Sequence, residues 1–261
     1  MARVRIWRSL RERASNSSAE IDQLDNLAAN RRIWNEYAAA WTPRFRGYEA
    51  DHEGEVPIEY SYLGDEWGHP RDVDDVVRQF VLPYIDPQAR VAEVGAGGGR
   101  VAARVVDHTR ELWCFDISEN MLDRARVALA GKSQARFVHI EGPGFPPELA
   151  GTFDFIYCFD VMVHFDLHMM WRYLSEFARL VRPGGRFLVH TANIATSAGW
   201  EHFASQEKFT VPTHYFVTPE TVLTLASHLP VTLVHRAEED PANFYLGRDL
   251  LMVFERTAGQ A

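Results

Sequence analysis

Two kinds of hydrophobic pattern alternate along the chain after residue 90. Short runs of consecutive apolar residues are separated by longer segments whose apolar residues recur every three or four positions. The short runs predict buried strands, and the longer segments predict amphipathic helices. Such an alternation is typical of a parallel sheet that helices cover on both faces. The predicted strands span residues 90–95, 111–118, 135–142, 153–160, 185–193, 231–238 and 249–256.

The last two predicted strands, VTLVHRAE and DLLMVFER, follow one another without a helical segment between them. We therefore expect the final strand to run antiparallel to the others. The sequence as a whole predicts an α/β, Rossmann-like fold: a seven-stranded, mostly parallel sheet with the last strand antiparallel and helices on both faces. Ligands of such open sheets bind outside the carboxyl ends of the strands, so the loops at those ends are where chemistry is expected.

The region ahead of residue 72 has a different pattern. Residues 16–41 are predicted to form a helix that begins with a capping box of Ser17 and Glu20. An irregular stretch rich in Trp and Tyr follows, and a second helix then leads to Pro83. The expected division of the chain is an N-terminal arm with a helical, aromatic lid (1–71) and a ligand-binding domain (72–261) that contains a substrate-side insertion (194–218).

Composition and charge narrow the function classes. The 261 residues carry a formal net charge of -9. This charge argues against a protein whose main partner is nucleic acid, because phosphates are neutralised by clustered Lys and Arg. No apolar run approaches the roughly 20 residues that cross a bilayer, and the first residues lack the pattern of a secretory signal. We therefore expect a cytoplasmic protein with no stable membrane span.

One basic segment contrasts with this acidic composition. Its five arginines are Arg3, Arg5, Arg8, Arg11 and Arg13. They suit either an amphipathic helix on a membrane surface or an arm that packs on its own domain or on the second subunit of a homodimer. The packing interpretation is preferred, because five arginines are a weak signal for a membrane surface.

The stretch VAEVGAGGGR, residues 91–100, places a glycine-rich turn directly after the first strand of this sheet. Glycine costs backbone entropy, so its repeated use here indicates that a ligand approaches the backbone closely. Gly95 and Gly97 fit the first two glycines of the dinucleotide fingerprint G-x-G-x-x-G. Arg100 stands at the third glycine position, where a large side chain would crowd the contact between helix and strand.

The same stretch resembles the first motif of class I S-adenosylmethionine-dependent methyltransferases, an acid and any residue followed by Gly-x-Gly-x-Gly. Glu93, Gly95, Gly97 and Gly99 match this motif. The resemblance implies S-adenosylmethionine as the methyl donor and S-adenosylhomocysteine as the product. It also implies that the turn of Gly95, Ala96 and Gly97 meets the amino-acid tail and sugar of the cofactor, while Glu93 holds its ammonium group.

Further motifs extend this resemblance over roughly residues 72–256. Asp116 ends the second strand, where the acid of this family takes both ribose hydroxyls. Glu141 and Gly142 follow the third strand, where an acid and a backbone amide read the adenine. Taken singly, Glu93 fits a strand residue with a salt partner and Asp116 fits a helix cap. The other residues implied to bind the cofactor are Ile117, Met121, Phe159 and Asp160.

Candidate catalytic residues lie in FDVMVHFD, residues 159–166, after the fourth predicted strand. Methyl transfer to a hydroxyl needs a general base, and His164 is the candidate because imidazole titrates near neutrality. The alternative for His164 is a buried histidine bonded to the backbone. Asp160 is expected to orient the cofactor's ammonium group or a metal. His190, in HTAN after the fifth strand, either faces the acceptor or satisfies loop backbone.

A metal requirement is left open by the sequence. Several methyltransferases of this kind need a divalent cation such as Mg²⁺, and Asp65, Glu66, Asp160 and His164 offer suitable oxygen or nitrogen ligands. Their spacing does not define a magnesium site. His168 follows His164 by four residues, but a helix is expected to begin at Asp166 between them, so the two rings need not share a face.

A finer resemblance is to bacterial polysaccharide- and sugar-modifying O-methyltransferases. It is carried by GDEWG at 64–68, by FDVMVHFD and by HTAN. It implies that the acceptor is a hydroxyl of a sugar or of an oligo- or polysaccharide; the alternative is a small-molecule amine or phenol of a natural-product pathway. A nicotinamide-dependent oxidoreductase fits less well because of Arg100 and because no Tyr-x-x-x-Lys pair is evident. A cofactor-binding subunit without activity of its own is a further alternative.

Overall fold

The computed structural model of the protein describes residues 25–42, 45–46, 58–59 and 61–258. The basic arm, the capping box at Ser17 and part of the expected aromatic stretch lie outside these residues. Within them, the first helix begins at Asn26, and the side chain of Asp25 caps it by accepting a hydrogen bond from the backbone of Ala28.

Within the described residues, ten strands form two sheets. The strands are β1 (Phe45–Arg46), β2 (Ile58–Glu59), β3 (Arg90–Val94), β4 (Glu111–Asp116), β5 (Ala135–His139), β6 (Phe153–Cys158), β7 (Val181–Asn193), β8 (Phe216–Val217), β9 (Val231–Arg236) and β10 (Asp249–Arg256). The large sheet follows the order β5-β4-β3-β6-β7-β10-β9, and β8 pairs with the end of β7 beside this path. Strands β3 to β7 are parallel, whereas β10 is antiparallel to both of its neighbours.

Eight α-helices are found in the described residues. They are α1 (Asn26–Ala40), α2 (Pro70–Phe80), α3 (Ala102–Val105), α4 (Glu119–Ala128), α5 (Leu167–Leu180), α6 (Ser197–Ala204), α7 (Pro219–Ala226) and α8 (Phe244–Arg248). The sequence pattern predicts helices over residues 118–131, 166–181 and 219–229. Ser118, Asp166 and Thr218 cap α4, α5 and α7 with their side-chain oxygens, at or next to the first residues of these predicted helices. In the part of the chain described here, no helix is long and apolar enough to cross a membrane.

Successive residues of a strand point to opposite faces of the sheet. Both faces of this sheet are apolar, and each packs in its own hydrophobic core. Phe187 of β7 belongs to a core on the face covered by α5 and α7, whereas Leu188 belongs to a core on the face covered by α2 and α3. This arrangement explains why the strands read as continuous apolar runs. The predicted fold class, a mostly parallel Rossmann-like sheet with an antiparallel last strand, is confirmed.

Two local predictions differ from the structure. A short helix, α8, lies between β9 and β10, where the sequence pattern predicted none. It is only five residues long and begins at Phe244. The side chain of the preceding Asn243 accepts from two backbone amides, so a local cap rather than an amphipathic period defines the helix. The segment 194–218, expected to be irregular, contains α6 and the short strand β8, which adds an eighth strand to the predicted seven.

Helix α1 packs across the ends of the strands rather than on the sheet faces. Tyr37 and Ala38 form a small core with Leu63 and with Met121 of α4. The guanidinium of Arg124 on α4 donates to the backbone oxygens of Ala38 and Trp41. These contacts hold α1 above the loops that follow β3 and β4.

Candidate active site

The turn after β3 has a backbone conformation that favours glycine. Gly95, Gly97 and Gly99 have φ values of 76°, 53° and 84°, in the left-handed region that most side chains avoid. A Cβ on Gly95 would overlap with the side chain of Val161. A Cβ on Gly97 would meet no heavy atom within 4 Å, because this residue faces an open space. The turn therefore exposes backbone to a ligand.

That open space is a cavity of about 740 Å³ at the carboxyl ends of β3, β4 and β6. Its position agrees with the rule that open α/β sheets bind ligands outside the carboxyl ends of their strands. Most of the residues that the sequence assigned to the cofactor line it. They are Glu93, Gly95, Ala96, Gly97, Asp116, Ile117, Met121, Phe159 and Asp160, and the candidate base His164 lines it too.

Asp116 connects the glycine turn to the start of α4. Its Oδ2 accepts a hydrogen bond from the backbone of Gly97 and its Oδ1 accepts one from the backbone of Ser118, each at 2.8 Å. Burial raises the pKa of Asp116 to about 6, and these two donors oppose the rise. The residue both orders the loop and presents a buried carboxylate to the cavity.

Glu93 is a buried carboxyl group inside β3. The hydroxyl of Tyr157 donates to its Oε2 at 3.0 Å. Burial raises the pKa of Glu93 to about 8, although the hydrogen bond from Tyr157 and the charge of Arg100 oppose the rise. Glu93 is therefore largely protonated at neutral pH, and a cationic group placed beside it would favour the ionised form.

Two of the expected cofactor residues are not in the cavity wall. The side chain of Glu141 is 81% exposed and forms an ion pair with Arg31 at 2.9 Å. Gly142 packs against Leu27 of α1, into which a Cβ would project. The preceding residue, Ile140, lines the cavity instead. The strand β5 ends earlier than predicted, so the chain turns away from the cavity at Glu141.

His164 follows β6 and is almost fully buried. Its Nδ1 lies 3.1 Å from the carbonyl oxygen of Thr213; since a carbonyl only accepts, Nδ1 carries the proton and Nε2 keeps its lone pair. Burial lowers the pKa of His164, although the charge of Asp160 and the carbonyls of Thr213 and Val211 oppose the change. The imidazole is thus neutral at pH 7 and has one nitrogen able to accept a proton.

Asp160, in the cavity wall, is the one non-glycine residue of the described chain with a positive φ, 60°. The Nη2 of Arg100 donates to its Oδ2 at 2.6 Å. Arg100 also donates to the backbone oxygen of Gly64 and to the hydroxyl of Tyr245. From the sequence alone, Arg100 is known only as a large residue at the third glycine position of the dinucleotide fingerprint. An arginine at the start of a helix that packs on a sheet was the available sign that it has a buried partner.

His190 differs from the expectation that it faces the acceptor. It is fully buried, lies outside the cavity wall and stacks on Phe159 with 4.4 Å between ring centroids. The backbone amide of Asp160 donates to its Nδ1 at 2.7 Å, and its Nε2 lies 3.0 Å from Oδ2 of Asp249. Arg248 donates to both oxygens of that aspartate. The imidazole therefore contacts the cavity only through Asp160.

An aromatic wall faces His164. The ring of Trp34, on α1, lies 5.0 Å from that imidazole and 5.6 Å from the ring of Trp67, which belongs to the GDEWG segment. Both indoles line the cavity. Glu66 holds this segment against α1 by accepting a hydrogen bond from the hydroxyl of Tyr37. Neither indole was singled out by the sequence argument as a site residue, because one aromatic residue among many carries no positional signal.

The acids considered as metal ligands accept hydrogen bonds from protein groups. Oδ2 of Asp65 accepts from the backbone of Tyr62 at 3.0 Å, while its Oδ1 is buried with no hydrogen-bond partner. Asp160 is paired with Arg100, and Glu66 accepts from Tyr37 and from the indole nitrogen of Trp41 at 2.9 Å. Over residues 25–42 and 61–258, no group of three or more His, Cys, Asp or Glu side chains is arranged to hold a metal ion.

The sequence of the central region matches known methyltransferases. Residues 91–185 match a family model described as a methyltransferase domain. A relative from Aromatoleum aromaticum, ubiquinone biosynthesis O-methyltransferase, is 30% identical over 118 residues, which are 43% of this chain and 50% of the relative. The chain thus spans about half the length of this curated relative.

Solved structures share the fold. Magnesium protoporphyrin IX methyltransferase from Synechocystis with bound S-adenosylmethionine is 17% identical, with a TM-score of 0.60 over 90% of this chain and 98% of the other. The N-methyltransferase NodS from Bradyrhizobium japonicum in complex with S-adenosylhomocysteine is 19% identical, with a TM-score of 0.55 over 72% of this chain and 87% of the other. At these identities the likeness establishes the architecture, not the acceptor.

Proposed function

We propose that the protein is a class I S-adenosylmethionine-dependent methyltransferase and that it transfers the methyl group to a hydroxyl of a small acceptor. One observation carries the proposal: the glycine turn and the imidazole of His164 line the same cavity. A donor held by the turn and a hydroxyl beside His164 would be held together in reacting orientation, which is the main requirement of a displacement with a reactive donor.

The residues of the cavity fit the cofactor. The space beside Gly97 is open, so a nucleoside and its amino-acid tail can approach the backbone there. Asp116 presents a buried carboxylate for the ribose hydroxyls, and Glu93 presents a carboxyl group for the ammonium. When bound, S-adenosylmethionine supplies a methyl group on a positively charged sulfur, which a nucleophile displaces in line.

We assign the general base to Nε2 of His164. As the bond between oxygen and methyl carbon forms and the bond between sulfur and carbon breaks, this nitrogen accepts the proton of the hydroxyl. The products are a methyl ether, S-adenosylhomocysteine and a protonated imidazole, which later returns its proton to water. The hydrogen bond from Nδ1 to Thr213 fixes the tautomer that makes Nε2 available. The charge of Asp160 favours the imidazolium that forms.

The chemistry around His164 favours a flat acceptor with few hydroxyls. Polar groups there already pair with one another: Asn30 accepts from the indole of Trp34 at 3.0 Å and its amide donates to the backbone oxygen of His164 at 3.4 Å, and Asp160 pairs with Arg100. A polyhydroxylated sugar would find few partners for its hydroxyls and would leave them unsatisfied. An aromatic ring would stack on the indoles.

A phenol is therefore the acceptor we favour, over the sugar or glycan hydroxyl that the finer sequence resemblance implies. A weak base such as His164, whose pKa is lowered by burial, is better matched to a phenol, with a pKa near 10, than to an aliphatic hydroxyl. The relative from Aromatoleum aromaticum, named as an O-methyltransferase, is consistent with transfer to oxygen.

The test of the acceptor uses purified protein and S-adenosylmethionine labelled in its methyl group. Phenols, small amines, mannosides and aminosugars are incubated separately, and labelled product is identified by mass spectrometry. We expect methyl ethers of phenols. Label transferred only to sugars would contradict the phenol and support a sugar hydroxyl as the acceptor. Label transferred only to amines would exclude O-methylation.

Replacing His164 tests the base. The variant His164→Gln should bind S-adenosylhomocysteine within about twofold of the unchanged protein, yet lose roughly 10²- to 10⁴-fold in turnover. His168→Ala, at an exposed position four residues away, is the matched control and should keep full turnover. Turnover of His164→Gln equal to that of the control would remove the imidazole from the reaction and leave it a structural role.

A further inference from the structure

The conformation of Asp160 is held from two sides. A left-handed backbone at a non-glycine residue is strained and persists only where the surroundings determine it. On one side, the guanidinium of Arg100 binds its carboxylate. On the other side, its own backbone amide is bound by the ring of His190. Neither contact is local in sequence, so the conformation depends on the tertiary fold.

The hydrogen bond from the Asp160 amide determines the tautomer of His190. An amide only donates, so Nδ1 of His190 must be unprotonated, and the proton of the neutral ring lies on Nε2. Asp249 accepts that proton in a hydrogen bond at 3.0 Å. Burial opposes ionisation of Asp249, but the adjacent Arg248 and His190 lower its pKa, so it remains an acceptor. The chain of contacts runs from Arg248 through Asp249 and His190 to Asp160.

Asp160, at the end of this series of contacts, acts on the candidate base His164. Asp160 and His164 line the same cavity, and the negative charge of Asp160 favours the protonated form of that imidazole. A displaced Asp160 would leave the imidazolium that forms during methyl transfer less stabilised. Displacement of Asp160 should therefore lower the turnover number rather than weaken cofactor binding.

We propose that His190 is a positioning residue: with Asp249 behind it, it holds the backbone of Asp160 so that the carboxylate stays directed at the cavity. Both of its ring nitrogens are used in this role, so it is not a second base. The kinetic part of this inference rests on the proposed methyl transfer; the hydrogen-bonding part does not.

Two substitutions at one position separate positioning from proton transfer. In His190→Asn, the amide oxygen can occupy the place of Nδ1 and accept from the Asp160 amide, but no imidazole remains. In His190→Ala, a buried amide loses its partner. We expect kcat of His190→Asn to stay within about fivefold of the unchanged enzyme and kcat of His190→Ala to fall roughly 10- to 100-fold, with KM for S-adenosylmethionine nearly unchanged in both.

The control for these variants is His108→Asn at an exposed position, which should behave like the unchanged enzyme. Equal losses of 10²-fold or more in the Asn and Ala variants would mean that the imidazole itself transfers a proton, and would overturn the proposal. Equal activity of both variants would also overturn it, because Asp160 would then need no support.

An activity-independent measurement covers the case in which a variant fails to fold or no acceptor is found. Nitrogen-15 NMR of the unchanged protein should show His190 protonated at Nε2 only, and a coupling across the hydrogen bond between the Asp160 amide nitrogen and Nδ1. A protonated Nδ1, or the absence of this coupling, contradicts the inference. Failure of methyl transfer with the coupling present refutes the proposed function alone.

Discussion

The response of this site to pH is set by two buried carboxyl groups. Glu93 has a pKa raised to about 8 and Asp116 a pKa raised to about 6, in both cases because burial disfavours the charged form. Between these two values, Asp116 is ionised and Glu93 is protonated. A cationic ligand beside Glu93 must therefore displace its proton on binding.

We predict that the affinity for S-adenosylmethionine rises with pH between about 6 and 8. Where the free protein is protonated at Glu93 and the complex is not, binding releases a proton, so the apparent Kd should fall by roughly tenfold per pH unit. Titration calorimetry at pH 7 in two buffers of different ionisation enthalpy measures the proton directly. The variant Glu93→Gln should bind more weakly and without this pH dependence. An unchanged dependence in that variant would assign the proton to another group.

Single residues were predictable where a local rule applies. Ser118 and Asp166 stand just before amphipathic segments, and capping chemistry placed both correctly. Glu141 was placed in the adenine site because its strand was read too long, and a strand end depends on pairing that the sequence does not display. No role could be assigned to Arg100 from the sequence for a similar reason, since its partners Gly64 and Tyr245 are remote in sequence.

The glycine turn is the central element of the proposed cofactor site. Gly97 and Gly131 both have a left-handed backbone, with φ of 53° and 84°, and both have open space where a Cβ would lie. Only Gly97 lines the cavity. A side chain at either position should therefore cost similar conformational energy, but only the one at Gly97 would lie next to a bound ligand.

Substituting alanine at each position separates these effects. Gly97→Ala and Gly131→Ala should lose similar stability, about 1 kcal/mol from the left-handed backbone. Gly97→Ala alone should weaken S-adenosylhomocysteine binding, by at least tenfold, because its methyl group occupies space that the ligand needs. Calorimetry and thermal melts measure both quantities. Equal cofactor affinities in the two variants would mean that the ligand does not approach this turn.

Helix α1 is held over the cavity by Arg124, which donates to backbone oxygens at the end of that helix. Arg126, on the same helix α4, forms exposed ion pairs with Glu119 and Asp123, and its guanidinium lies 5.6 Å from the centroid of the Phe137 ring. Charged hydrogen bonds to a partly buried helix end are worth more than exposed ion pairs. The two arginines therefore form a matched pair for testing α1.

We predict that Arg124→Met increases the dissociation rate of S-adenosylhomocysteine roughly tenfold, because α1 and its cavity residue Trp34 are released. Arg126→Met should leave the rate unchanged. Stopped-flow measurement of tryptophan fluorescence follows the release. Equal rates in both variants would show that α1 does not limit exit from the cavity.

Helices with a strong hydrophobic period were predictable. A short helix defined by its cap alone, and strand ends defined by pairing, were not. The amphipathic period located α5 within one residue at each end of its observed span. Helix α8 is too short to show a period. Strand β7 begins at Val181, four residues before its predicted start, because Val181 pairs with Phe153 of β6. The strand therefore includes Pro183 and two glycines, which the sequence rules assign to a loop.

On the scale of the whole molecule, cofactor binding should appear as stability. A ligand that binds only the folded state at 100 times its Kd adds about 2.7 kcal/mol to the free energy of unfolding. For a chain of this size we expect S-adenosylhomocysteine to raise Tm by roughly 5 to 10 °C, whereas NAD should leave Tm unchanged. A shift with NAD and none with S-adenosylhomocysteine would restore the dinucleotide interpretation of the glycine turn.

The order of the predicted strands and helices identified the architecture because covering both faces of a parallel sheet constrains every strand to be apolar. The side-chain pairs inside the candidate site could not be predicted in the same way. Arg100 meets Asp160 and His190 meets Asp249 across 60 and 59 positions of sequence. Such pairs follow from the strand order, which brings β3, β6, β7 and β10 side by side, and the sequence pattern does not give that order.

The place of β10 between β7 and β9 has a consequence for synthesis. While the polypeptide leaves the ribosome, β7 and β9 emerge before the strand that joins them, so β9 has no neighbour in the sheet and β7 lacks one of its flanks. Asp249, the support of His190, lies on that late strand. The candidate active site of a nascent chain thus stays incomplete until residues 249–256 have cleared the exit tunnel, and shortening the chain into this strand should abolish activity and sheet closure together.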